Sequence, residues 1–100
     1  MAIKNYIWIE KASRGEKLNL KEMPSDFYTW KEDAQPFLIE IGKRARVIAQ
    51  AEGASFPQKM MMKEIEVCYG KALHADCAYT IYVNCHHALG WFSKMVRNEL

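Results

Sequence analysis

The sequence has no large excess of either charge, no apolar run long enough to cross a bilayer, no glycine-rich loop and no Cys-x-x-Cys pair. Each absence removes a class of function. With 14 basic against 12 acidic side chains and a formal net charge of +2, no overall field steers the chain toward nucleic acid or an anionic membrane. The charges are also spread without an acidic or basic tail. The longest uncharged stretch, Cys77 to Ser93, contains Asn84, His86, His87 and Gly90 and is too polar to be a membrane span. The opening segment, Met1 to Glu10, carries Lys4 and an apolar run broken by Glu10, so it is expected to be neither a signal peptide nor an anchor. Without a glycine-rich loop there is no phosphate cradle. Three cysteines, an odd number, with no export signal predict reduced thiols in a cytoplasmic setting.

What is present is apolar surface. Half of the 100 residues are apolar and 12% are aromatic, which predicts one compact domain over residues 1–100. Ile3, Ile7 and Ile9 alternate with Asn5, Trp8 and Glu10 in a β-branched, aromatic segment. Ser13-Arg14-Gly15 offers a turn, and Leu18 and Leu20 alternate with lysines. A short β-hairpin over residues 1–23 follows from that pattern, in preference to a first helix. Met23-Pro24 closes the unit.

Helical spacing governs the remainder, over 25–53, 56–74 and 76–100. Phe27, Trp30, Ala34, Phe37, Leu38, Ile41, Ala45 and Ile48 form the first stripe, capped by Ser25 and interrupted at Pro36, where a kink or break is expected. Ser55-Phe56-Pro57-Gln58 is a helix start signal, with Ser as cap, Pro in the first turn and Gln three residues after the cap. Asp76 is the expected cap of the last helix. The fold class predicted is therefore mainly α, three helices with the first kinked or split at Pro36, plus an N-terminal β-hairpin; the alternative is an all-α helical bundle. A tight junction near Ala75 would set Cys68 opposite Cys85, Ile65 opposite Ala88 and Met61 opposite Phe92.

The last helix carries two apolar faces. Ala78, Ile81, Tyr82, Cys85, Ala88, Leu89, Phe92, Met95 and Val96 form a core stripe, while Tyr79, Val83, His87, Gly90 and Trp91 gather on another side beside Lys94. Trp, Tyr and basic residues are the types enriched at binding hot spots. Met60-Met61-Met62 adds a flexible apolar run of which at least one member faces outward. Partner-binding candidates are thus Tyr79, Val83, His87, Trp91, Lys94 and Met60. The competing reading covers that face with the N-terminal hairpin.

The densest basic run, Lys43-Arg44-Ala45-Arg46, with Lys59 and Lys63 after the turn and Phe56 and Tyr69 nearby, is the candidate for touching a phosphate backbone. Cys68, His74, Cys77, Cys85, His86 and His87 contain the residue types that bind zinc or perform redox chemistry. Their spacing matches no metal motif, and His86 and His87 point about 100° apart on a helix. No cofactor, metal site or catalytic constellation is predicted. The expectation is a non-enzymatic protein-binding module: a cytoplasmic regulator, inhibitor or adaptor subunit that pairs with another protein or with its own copy as a homodimer. Nucleic-acid binding is the second reading and a Cys/His metal or redox site the third.

Overall fold

The computed structural model describes residues 6–23 and 28–98. Among these the regular structure is entirely helical: α1 (Tyr6–Ser13), a 3-10 turn (Leu20–Glu22), α2 (Lys31–Ala49), α3 (Phe56–Leu73) and α4 (Ala78–Arg97), with no strand. The alternative fold reading, a small all-α domain, is the one realised. The expected hairpin and three-helix count are replaced by a fourth helix.

The hairpin fails because burial decides the first segment. In α1, Ile9 and Ala12, three residues apart, are fully buried, while Ile7 is 55% exposed. Ile7 and Ile9 would share one face of a strand but lie about 200° apart on a helix. The β-branched composition is overridden by what α2 and α4 offer to cover. Ile3, the first residue of the expected strand, lies outside the described residues. The chain turns at Gly15, whose φ of +76° suits glycine and whose absent Cβ leaves room for the Arg97 side chain, 3.3 Å from where it would stand. Ser93 Oγ donates to the Glu16 carbonyl at 2.7 Å, which pins this turn onto α4.

The expected Ser25 cap and Phe27 also fall outside the described residues. α2 starts instead at Lys31, after Trp30 in extended geometry with no side-chain cap. Pro36 lies within α2, which runs unbroken past it. Its missing N–H frees the Glu32 carbonyl, and Glu32 is exposed, so that carbonyl can be hydrated. Tyr28 is buried just before α2, with its ring stacked on Phe37 at 4.3 Å.

α3 begins at a complete capping box. Ser55 Oγ accepts from the Gln58 N–H at 3.2 Å, and the Ser55 N–H donates to Gln58 Oε1 at 2.9 Å. Gln58 Nε2 also donates to the Met95 carbonyl at 3.1 Å, and the Ser55 hydroxyl meets Asn98 Oδ1 at 2.6 Å. The start of α3 is therefore clamped to the end of α4, and the two run antiparallel. Their seam is the most extensive in the fold, with α2 packed on both. Met61, Ile65, Cys68, Cys85, Ala88 and Phe92 are all buried, and Cys68 lies close enough to Cys85 to act on it electrostatically. The cap of α4 is Cys77, not Asp76.

α1 packs mainly on α4, with a lighter contact to α2. Arg44 makes that second contact, reaching Glu10 at 2.9 Å, Ser13 Oγ at 2.7 Å and Glu40 at 2.9 Å. Charge-assisted bonds at a partly shielded site are stronger than exposed ion pairs. Arg44→Met is thus expected to cost about 1–2 kcal/mol in a urea melt, whereas Lys43→Met should change stability by less than about 0.5 kcal/mol. Equal stability of the two variants would mean that Ile9 and Ala12 alone hold α1.

Candidate functional site

The sequence places Trp91 on the outer side of α4, and the α3–α4 clamp determines what stands beside it. Because Ser55 and Gln58 fix the first turn of α3 against Met95 and Asn98, Phe56 and Met60 rise next to Trp91. Together with Pro57, Met61 and Glu64 they line an open depression of about 440 Å³. Phe56 is 74% exposed and Met60 42% exposed, while Trp91 is half-buried. The methionine run divides: Met61 and Met62 are buried and Met60 faces this depression.

On its other side Trp91 carries Lys94, whose Nζ stands 5.3 Å from the ring centroid in a cation–π contact. His86, His87 and Gly90 complete a second depression of about 320 Å³ there. Trp91 is the wall common to both. His87 and Lys94 are exposed and Val83 is half-buried. Tyr79 is exposed but stands apart, in a shallow site with Thr29, Ala78 and Tyr82; twelve residues of helix separate it from Trp91 by about 18 Å. The face read from the sequence is therefore two patches, and α1 covers neither: its turn reaches α4 at Ser93 and Arg97 instead. Arg97 is engaged with the Glu16 carbonyl and with Ser93.

Phe56 is near the basic run in the sequence, but the fold places it across α3, with Trp91. The signal that could have found it is the spacing Phe56, Met60, Val67, a second apolar stripe on α3 whose members are all exposed.

The basic candidates do not form one surface. Lys43 and Arg46 line a groove between α2 and α3, with Tyr69. Lys59 and Lys63 are exposed on α3 but do not line that groove. Arg44 turns the other way, to Glu10 and Ser13 of α1.

The Cys and His residues likewise separate. Cys68 and Cys85 are buried at the seam, and Cys77 and His74 are exposed. Among the described residues no three His, Cys, Asp or Glu side chains converge, and no helix is long and apolar enough to cross a membrane. Burial pushes the Cys85 thiol up to about 12 and raises that of Cys68. Cys77 is lowered, because the Thr80 hydroxyl, 3.3 Å away, and the first N–H groups of α4 favour its thiolate against the opposing charge of Asp76. His86 is lowered by burial and by the neighbouring His87, and its ring lies 4.1 Å from that of Tyr82.

Compared with known proteins, the chain matches no family model, no curated protein and no solved structure.

Two measurements follow from these environments. Brief iodoacetamide treatment of the native protein should alkylate Cys77 and spare Cys68 and Cys85, as read by peptide mass spectrometry; all three should react in denaturant. Equal native labelling would mean the α3–α4 seam opens freely. For His86 the folded state resists a proton that the unfolded state accepts below its ordinary pKa of 6.5. Its contribution is therefore fully present above that pH and is lost as pH falls below it. Thermal melts at about pH 7.5 and about pH 5.5 should differ, and His86→Gln should narrow the difference. An unchanged gap would assign the loss to other groups.

Proposed function

We propose that this chain is a non-catalytic protein-binding module, acting in the cytoplasm as a regulator, inhibitor or adaptor subunit through the surface around Trp91. The observation that carries this reading is the joint exposure of Phe56 and Met60 beside Trp91 in one open depression. Leaving that much aromatic and thioether surface in water is unfavourable unless it is covered part of the time. Trp anchors are over-represented among the few residues that dominate binding energy, and Met adapts its shape to the partner. Lys94, held over the Trp91 ring, and Glu64, on the α3 wall, supply a charged rim of both signs that would orient the partner. Tyr79 is a peripheral contact in this reading. A second copy of the chain is the other occupant of the same surface, since a helical face can pack on itself about a two-fold axis.

The test is affinity capture from nuclease-treated lysate, together with light scattering of the purified chain over a range of concentrations. Wild type should retain a stoichiometric protein partner, or dimerise. Phe56→Ala and Trp91→Ala should each weaken that association by about tenfold or more, whereas Tyr79→Ala should have a small effect. Phe56 is mostly exposed, so its variant should melt like wild type. Association that survives the Phe56→Ala, Trp91→Ala double variant removes this surface from the function.

A further inference from the structure

The groove between α2 and α3 lies on the opposite side of α3 from the Trp91 surface. Its volume is about 340 Å³, and its floor is the buried side chains of Leu38, Met62 and Ile65. Along α2 it runs from Leu38 to Arg46. Eight residues of helix make about 12 Å, the length over which a guest helix presents two turns. Such a guest would set apolar side chains at i, i+3 or i+4, and i+7. Ile39, 41% exposed on the α2 wall, and Tyr69 on the α3 wall extend the apolar surface upward from the floor.

Gly42 stands in the middle of that wall, inside α2. A helix-interior glycine is less stable than alanine at the same place. Among the described residues nothing within 4 Å would meet a Cβ at this position, as is also true of Gly70 in α3 and Gly90 in α4. The missing side chain leaves room for a backbone to approach this part of the wall closely from outside.

The charges on the groove identify the flank of the guest. Lys43 and Arg46, one turn apart on the α2 wall, take part in no ion pair, hydrogen bond or ring contact among the described residues. The other arginines are engaged within the chain, Arg14 with Glu16, Arg44 with Glu10 and Glu40, and Arg97 with the Glu16 carbonyl, whereas Lys43 shares its solvated state with exposed lysines such as Lys59 and Lys63. Against the pair on α2, the α3 wall carries only Glu66. An acidic edge lying along α2 would be complementary.

We propose that this groove is a docking site for an amphipathic helix of another protein, with an acidic flank facing Lys43 and Arg46 and its backbone passing over Gly42. A phosphate backbone fits less well. The middle cation of the basic run, Arg44, is turned to α1, and the two that remain stand over an apolar floor. The proposal is independent of the Trp91 surface.

The test is an amide NMR titration of the full chain with three probes. These are a synthetic helix of about 14 residues bearing an i, i+3/i+4, i+7 leucine stripe and glutamates on one flank, the same peptide with lysines there, and a single-stranded RNA of similar length. The glutamate peptide should shift Ile39, Gly42, Met62 and Tyr69. Lys43→Glu with Arg46→Glu should weaken it by about tenfold or more. Gly42→Ala should raise the melting temperature and yet lower the affinity; Gly42→Leu should lower it further. Equal binding of the lysine peptide, shifts centred on Met60 and Trp91, or RNA shifting the groove in place of the glutamate peptide would overturn the proposal. So would shifts at the groove that grow with protein concentration alone, which would assign it to a second copy.

Discussion

Ser55 and Gln58 do two things at once, and the arrangement of the fold depends on both. They satisfy each other's backbone N–H groups at the start of α3 and, with the atoms left over, bond to Asn98 and the Met95 carbonyl at the end of α4. A cap is ordinarily a local device. Here it also sets the register of the longest helix–helix seam, because one end of each helix is fixed to the other. Met61, Ile65, Cys68, Cys85, Ala88 and Phe92 are all buried in the core, and Met60 and Trp91, next in sequence to Met61 and Phe92, are left beside each other on the outside. The candidate binding surface is thus what the two helices have remaining after their core stripes are spent on each other.

α3 consequently carries three surfaces. Met61 and Ile65 go to the core, Met60 and Glu64 to the Trp91 side, and Met62 and Glu66 to the α2 side. Three successive methionines serve all three because consecutive residues on a helix point about 100° apart. An unbranched thioether fills a core gap or a shallow wall with little penalty.

The clearest local signals are legible in the sequence, and contacts made only by the tertiary fold are not. The start of α3 is written in four consecutive residues, and the core stripe of α4 in a single period, so both were visible without the fold. α1 was not, because the helix formers Glu10, Lys11 and Ala12 sit among aromatic and β-branched residues, and the choice is decided by Ile9 and Ala12 packing on the bundle and by Glu10 meeting Arg44. The adjacency of Phe56 and Trp91 was hidden for a related reason: they are 35 positions apart in the chain, and only the seam brings them together. The basic run misled in the same way. Lys43, Arg44 and Arg46 look equivalent in the sequence, but a rotation of about 100° per residue sends Arg44 toward α1 and the other two toward α3. Asp76 is the better cap of α4 by residue type, but the helix starts one residue later, with Cys77 in extended geometry at the cap position.

The shortness of α1 has a consequence for the order of assembly. Eight residues are too few to pass the unfavourable nucleation of a helix in water, where stretches below about 12 to 15 residues are marginal. Its helicity is borrowed from the bundle, through Ile9, Ala12 and the reach of Arg44 across 34 positions of sequence. The hairpins α2–α3 and α3–α4 close over short turns and can form early, as contacts of low sequence separation do. α1 has nothing to be a helix against until α2 and α4 lie side by side, so the first helix in the chain is the last to form.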